Sequence, residues 1–363
     1  MRIGLIAPPW IPVPPPAYGG TEVVVDNLAR GLQALGHEIR LFTVGGSTCP
    51  VPRRQLYPAP VQPLGAAVPE AVHVLAAYEA LADMDLVHDH TDLGPLLADR
   101  RGVRHPPIVV TNHGPFTPET RRLYAAVARH AQIVAISRSQ ARQAGGLPIA
   151  AVIHHGVDLD VYREGPGDGG YLLFIGRMSP DKGAHRALRV AREAGWPLEI
   201  VTKMRESDER AYFEREVRGL LPPGAGVPGE RPLDERLRLL RGARALLDPI
   251  TWAEPFGLVM AEALASGTPV LAFPQGAAPE IVQHGTTGFL CDDETAMVAA
   301  VGDVARIRRP DCRAAAVRHF SLERMARDHE RLYRRVLEGP RVGVPRRRII
   351  AARPARRLGA AGG

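Results

Sequence analysis

Two glutamates eight residues apart, Glu254 and Glu262, stand in the otherwise apolar stretch WAEPFGLVMAEALASGTPV at 252–270. A carboxylate buried among apolar groups is costly unless it is paired or hydrogen-bonded, so each needs a partner. Pro255 suits the first turn of a helix and Gly267 its stop, which predicts a helix over about 256–266. Eight helical positions span roughly 12 Å. The two acids therefore cannot hold one atom, but they can hold two ends of an elongated ligand. A pair of sugar hydroxyls would satisfy a buried carboxylate here, and so would an internal ion pair with an arginine. The free N–H groups of Phe256, Gly257 and Leu258 at the start of this helix are further donors.

Cations stand at a second place. GRMSPDKG (176–183) follows an apolar run and opens a helix, with Arg177 and Lys182 five positions apart. Two cations beside a helix N-terminus suit a diphosphate. The plain alternative pairs Arg177 with Asp181 and leaves Lys182 in solvent. In YGGTE (18–22), Gly19 and Gly20 either turn the chain or let an anion approach bare backbone. His113 in TNHGPF ends another apolar run, and HDHTD (88–92) offers His90 and Asp92. Successive residues at a strand end point to opposite faces, which argues against converging metal ligands. It leaves His90 or Asp92 to face a second substrate. Lys203 ends the run PLEIVTK, as a phosphate or sugar contact or as a solvated side chain. The D-x-D patterns Asp83–Asp85 and Asp158–Asp160 read as strand-edge and turn residues, so no metal is expected.

The elements that must carry these groups follow from periodicity. RIGLIAP (2–8), EIRLFTV (38–44), DLVHDH (85–90), PIVVTNH (107–113) and QIVAIS (132–137) read as strands, with helical segments between them. The first such helix, TEVVVDNLARGLQALGH, takes Thr21 as its N-cap and Gly36 as its stop. A second series follows: YLLFIGR, PLEIVTK, RALLDPI, PVLAF and GFLCD as strands, with helices over 183–195, 208–221 and 234–243. A long amphipathic helix over 320–337 closes it. Alternation of strand and helix predicts parallel α/β sheets, which bind ligands at the carboxyl ends of their strands. Two such domains facing each other make a deep cleft.

Composition narrows the class. The chain has 363 residues, 45% hydrophobic and 23% charged, as in soluble globular proteins of two domains. No apolar run approaches a membrane span. Three scattered cysteines have no metal spacing and cannot all pair, which points to a reducing cytoplasm. The net charge of +7 lies wholly in seven arginines between 341 and 357. Residues 1–339 are formally neutral, so nucleic acid is not an expected partner. The tail 339–363 reads as a disordered extension with at most weak peripheral contact to anionic membrane. Only Lys182 and Lys203 are lysines among 46 basic residues. Oligomeric state is not legible.

The segments EPFGLVMAE (254–262), ALASGTPVLA, APEIVQHGTTGFL (278–290), HGVD (155–158), the GG loop and GHEI (36–39) together resemble glycosyltransferase family 4. That family consists of retaining enzymes of GT-B fold that use sugar nucleotides. Its signature is a glutamate, seven residues, and a glutamate. The resemblance covers roughly residues 1–338. It implies two Rossmann-like domains facing across a cleft: an acceptor domain at 1–154 and a nucleotide-sugar domain at 155–319. A closing helix at 320–338 would return to the first domain. It implies that Glu262 holds the ribose and that Glu254, with the Phe256-Gly257-Leu258 backbone, holds the donor sugar. Arg177 and Lys182 would neutralise the diphosphate, Gly20 would donate to its distal phosphate, and His113 would lie near the donor sugar. Gly229 would lie in the loop that meets the base, and Lys203 departs from the glycine-rich turn of many relatives. No cofactor is implied beyond the co-substrate, a UDP-sugar ahead of a GDP-sugar. The acceptor would be a small metabolite, natural product or glycoconjugate. A sugar-nucleotide 2-epimerase and a non-catalytic binding partner share the architecture. A dinucleotide oxidoreductase is disfavoured, because no strand is followed by G-x-G-x-x-G.

Overall fold

Strands buried on both faces need continuous apolar runs, and the chain supplies them at short intervals. The structure, a computed structural model, describes residues 1–17, 19–98 and 105–339. Tyr18 and most of the basic tail (340–363) lie outside the described residues. Seven parallel strands form the first sheet: β1 (Arg2–Ile6), β2 (Glu38–Thr43), β3 (Arg53–Gln55), β4 (Leu86–Asp89), β5 (Ile108–Thr111), β6 (Ala131–Ala135) and β7 (Ile149–Val152). Their order is β3-β2-β1-β4-β5-β6-β7. Five parallel strands form the second: β8 (Leu172–Arg177), β9 (Leu198–Lys203), β10 (Leu246–Asp248), β11 (Val270–Ala272) and β12 (Gly288–Leu290). Their order is β12-β11-β10-β8-β9.

Each sheet has one place where the connections reverse direction, and ligands of open α/β sheets bind outside the strand ends at that point. In the first sheet it lies between β1 and β4. The chain leaves β1 into the proline-rich loop that ends at Gly19, and leaves β4 into His90 and Asp92. In the second sheet it lies between β8 and β10. There the chain leaves β8 at Arg177 and leaves β10 at Asp248, six residues before Glu254. Topology thus brings the candidate residues of each half to one edge of its sheet.

Several elements differ from the periodicity reading. Strand β3 is exposed at all three residues, Arg-Arg-Gln, and pairs β2 as a charged edge, so no apolar pattern marks it. Strand β7, Ile-Ala-Ala-Val, is apolar but half-exposed at the opposite edge of the sheet, and the periodicity reading passed it over. The first helix runs Gly20–Ala34 with Gly19 as N-cap, which places Thr21 inside its first turn. The helix after Glu254 starts at Leu258 and ends at Ala265. Gly257 takes the left-handed conformation (φ 85°, ψ 63°), which breaks the helical run and leaves Pro255 in the preceding turn. Only Ser207–Tyr212 of the 208–221 segment is α-helical; a π-helical turn and a 3₁₀ turn follow.

The helix Leu322–Glu338 lies on the first domain. Met325, Ala326, Leu332 and Tyr333 join the core of Ile3, Leu5, Val24 and Leu28. Ser321 caps its start by accepting from the Arg324 N–H. Close approach to the helix Gly20–Ala34 depends on Gly31. A Cβ there would lie 2.8 Å from both Ala326 Cβ and Leu322 Cδ2. Gly31→Ala should therefore lower the melting temperature, even though alanine alone favours a helix by about 1 kcal/mol over glycine. Gly31→Val should cost more, on the order of 1–3 kcal/mol. Thermal unfolding of the two variants checks this, and an unchanged or raised midpoint for Gly31→Ala contradicts it.

Candidate active site

The shortest contact between the candidate residues joins Lys182 to Glu254. Lys182 Nζ lies 2.7 Å from Glu254 Oε2, and each side chain is 15% exposed. Lys182 follows β8 and Glu254 follows β10, so the switch point of the second sheet brings together residues 72 positions apart. The ammonium also stands 5.7 Å from the centre of the Trp252 ring, whose Nε1 is buried without a partner. Asp248, at the end of β10, is buried beside them. Burial pushes its carboxyl up to about 7, opposed by Lys182 and reinforced by Glu254. A cation thus faces two acids in a crevice with restricted solvent.

Arg177 is more exposed. Its guanidinium pairs with Asp181 Oδ2 at 3.4 Å, the plain alternative left open by the sequence, but Lys182 is not the solvated lysine of that alternative. Lys203 is likewise neither free nor solvated. It pairs with Glu209 at 3.0 Å and Glu206 at 3.3 Å because the chain turns straight from β9 into the helix Ser207–Tyr212. Next to it, the Gly229 carbonyl accepts the Thr202 N–H at 3.1 Å, which lays the loop along β9. A small cavity opens here, lined by Gly176, Lys203, Glu230, Arg231 and Arg236 of the second domain and by Ala17 of the first. The loop leading to Gly19 thus meets the carboxyl end of β8.

Glu262 is 6% exposed, and its Oε1 accepts from the Tyr162 hydroxyl at 2.7 Å. Burial raises its pKa, opposed by the charge of Arg236, one of the cavity-lining residues. Of the two partners the sequence left open, arginine enters only at a distance; the hydrogen bond comes from a tyrosine. The N–H groups of Phe256, Gly257 and Leu258 have no acceptor among the described residues. Gly19 is required sterically: a Cβ would lie 2.7 Å from Pro15 Cβ and 2.9 Å from a Glu22 carboxylate oxygen. A Cβ at Gly20 would meet nothing within 4 Å, and Gly20 begins the helix with its N–H outside the intrahelical ladder. Three of the four D-x-D acids are paired. Asp83 pairs with Arg40, Asp85 with Arg2, and Asp158 with Arg30.

His113 belongs to a row of aromatic rings that sequence reading did not assemble. His90 Nδ1 lies 2.9 Å from His113 Nε2, and His88 stacks behind His90 at 4.1 Å between centroids. On the other side His113 stacks on His155 at 5.3 Å, and His155 meets the Phe256 ring at 5.0 Å. His90 is 4% exposed and turned towards His113, which corrects its assignment to a second substrate. Alternate residues share a face, so His88 and His90 stack while Asp89 turns away to Tyr78 and Thr91. Asp92 is exposed, and its backbone N–H is held by Glu70.

Further contacts across the two halves were also missed. Glu280 accepts from the N–H groups of Arg138 and Ser139 at 2.9 and 2.7 Å and pairs with His154 at 2.9 Å. Arg30 bridges Asp26 and Asp158, and Asn27 donates to the Gly156 carbonyl. Glu280 stands inside a quoted motif and His154 just before another, but nothing local to either names its partner. No helix among the described residues is long and apolar enough to cross a membrane.

Two parallel α/β sheets presenting their switch points to each other, with a cation–acid pair at one of them, define a glycosyltransferase of GT-B fold. Residues 18–161 match the model of Glycosyltransferase Family 4, and residues 163–309 match that of Glycosyl transferases group 1. The chain belongs to the family 4 glycosyltransferases. It is 27% identical to a D-inositol 3-phosphate glycosyltransferase of Acidothermus cellulolyticus, over 87% of this chain and 85% of the relative. It is 30% identical to a GDP-mannose-dependent alpha-(1-6)-phosphatidylinositol monomannoside mannosyltransferase of Mycolicibacterium smegmatis, over 64% of this chain and 69% of the relative. Among solved structures it resembles AviGT4, a glycosyltransferase involved in avilamycin A biosynthesis. That likeness has 29% identity and a TM-score of 0.69, covering 93% of this chain and 98% of the other.

The histidine row makes acid a specific stress. Burial lowers the pKa of His88, His90 and His155 well below the usual value, and that of His113 to about 3. In each case the unfolded chain takes up the proton first as pH falls. Stability is therefore flat above about pH 6.5 and is lost progressively below it. A series of urea midpoints should fall steeply below about pH 6.5, and His155→Phe should flatten the slope. A slope that is unchanged in the variant contradicts this.

Proposed function

We propose that the chain transfers a glycosyl group from a nucleoside-diphosphate sugar to an acceptor hydroxyl, with retention of anomeric configuration. The observation that carries this reading is the Lys182–Glu254 contact at the β8–β10 switch point, with Arg177 ending β8 and the Gly19-Gly20 loop entering from the other domain. On this reading a diphosphate draws Lys182 and Arg177 to its oxygens, and Glu254 takes sugar hydroxyls instead. Glu262, oriented by Tyr162, holds the ribose. The N–H groups of Gly20 and of Phe256–Leu258 supply neutral donors.

In the reaction the bond from the sugar's anomeric carbon to the phosphate oxygen breaks, and its electron pair leaves with the diphosphate. The acceptor oxygen bonds to the same carbon, and its proton passes to the departing phosphate on the same face. Fixed positive groups that meet charge as it develops lower the barrier electrostatically. On this reading Glu254 is taken up by sugar hydroxyls and not aimed at the anomeric carbon, which favours this front-face course over a covalent intermediate. His113 contributes to the sugar site from the first domain. Closure across the Arg30–Asp158 and Glu280–Arg138 contacts would keep water from the reacting centre.

The resemblance alone favoured UDP, but a relative named for GDP-mannose widens the donor to UDP- or GDP-sugars. The acceptor we propose is a small polyhydroxylated metabolite or natural product. The relatives' names, D-inositol 3-phosphate in one and avilamycin A biosynthesis in another, support that class.

A thermal-shift panel of UDP, GDP, ADP and their sugars tests the donor. One base should give a selective rise, worth about 2.7 kcal/mol at a hundredfold excess over Kd. Lys182→Ala should abolish that rise and lower kcat roughly 100- to 1000-fold. Lys182→Ala combined with Glu254→Gln separates lost binding from the cost of an unpaired acid. A nucleotide shift unchanged in both variants overturns the assignment. NMR of the product's anomeric configuration checks retention.

A further inference from the structure

We propose that His90 is a positioning residue that holds His113 as the neutral Nδ1–H tautomer, so that this ring offers the cleft a hydrogen-bond donor and not a base. The lock rests on geometry alone. What the donor meets, an oxygen of the bound sugar, rests on the function proposed above.

Parallel pairing of β4 with β5 sets His90 and His113 side by side just past the strand ends. His88, two residues before His90, is fixed at both nitrogens. Its Nδ1 meets the Tyr333 hydroxyl at 2.6 Å and its Nε2 meets Thr111 Oγ1 at 2.8 Å. The His90 ring packs against this clamped ring at 4.1 Å with 36° between planes, which restricts its rotation. His90 Nδ1 and His113 Nε2 are 2.9 Å apart, a separation that holds one shared proton. Both rings are neutral, because a charge in this stack would lie beside other imidazoles and away from water.

A neutral imidazole carries one proton, so two arrangements remain. If His113 donates from Nε2, the proton of His90 must sit on its own Nε2. That atom is buried and has no partner. The result is an orphaned buried N–H, the rarer and costlier defect. If His90 donates from Nδ1, its Nε2 keeps only an unfilled lone pair. His113 Nε2 then accepts, and the proton of His113 sits on Nδ1. This Nδ1 has no partner among the described residues and is not among the atoms closed off from solvent. His155 covers one face of the ring at 5.3 Å with 22° between planes, which limits rotation away from this pose. His155 itself packs on Phe256, beside the turn that carries Glu254. The locked donor therefore stands across the cleft from the Glu254–Gly257 turn.

The test is tautomer-resolved NMR of the full chain labelled with ¹⁵N-histidine, with His113 assigned by its loss in His113→Gln. The wild type should show a protonated Nδ1 and a bare Nε2. His90→Phe keeps a flat ring but removes the donor, and His113 should shift towards the Nε2–H form. His90→Asn places an amide N–H near the imidazole Nδ1 position and should restore the wild-type pattern. kcat/KM should fall roughly ten- to hundredfold in His90→Phe and recover in His90→Asn, with both variants folded by thermal unfolding. A wild-type proton on Nε2, or an Nδ1–H form that persists in His90→Phe, overturns the lock. An altered tautomer with unchanged turnover supports the lock and overturns only the sugar-facing role of His113.

Discussion

A buried charge must have an opposite charge or a fixed dipole beside it, and the crevice between β8 and β10 meets this with its own residues. Lys182 and Glu254 neutralise each other at 2.7 Å where a ligand would otherwise be needed. This constrains any ligand that binds there. A phosphate that takes Lys182 leaves Glu254 without its partner unless hydroxyls replace the ammonium. A ligand carrying phosphate and sugar together compensates both groups, whereas either fragment alone compensates one. On the function proposed above, binding of the two parts would be coupled through this single ion pair.

The two halves share the work unequally. The second domain supplies the charged residues, on loops that leave its central strands. The first supplies backbone at Gly19-Gly20 and rings at His90 and His113. Polar contacts join them, Arg30 to Asp158, Asn27 to Gly156 and Glu280 to the helix start at Arg138, beside apolar ones in which Ile136 packs into the core of the second domain and Leu258 against that of the first. The partly exposed ion pairs among them are individually modest. The helix Leu322–Glu338 ties the end of the second domain onto the core of the first.

Strands that carry apolar residues to both faces, such as β1 and β11, announce themselves in the sequence. Strands with a solvated edge, such as β3, do not, because only their backbone belongs to the sheet. The helix boundary at Leu258 was misplaced because Gly257 uses a conformation that a list of helix-compatible residues does not reveal. In the site, residue types and their clustering at strand ends were legible, and so was the family. Partners were not. Lys182 and Glu254 lie 72 positions apart, Tyr162 and Glu262 lie 100 apart, and Arg138 and Glu280 lie 142 apart. Each pair is set by strand order, which no local pattern encodes. Lys203 shows the converse. Its position at a strand end suggested a ligand contact, but the helix that follows supplies two glutamates of its own.

The most direct measurement is a crystal structure of the chain with an intact nucleoside-diphosphate sugar bound. The account predicts Lys182 Nζ on a phosphate oxygen and Glu254 on sugar hydroxyls, with the ion pair exchanged for the two parts of one ligand. A nucleotide seated elsewhere, or bound with Lys182 and Glu254 still in contact with each other and with neither touching it, would contradict the account.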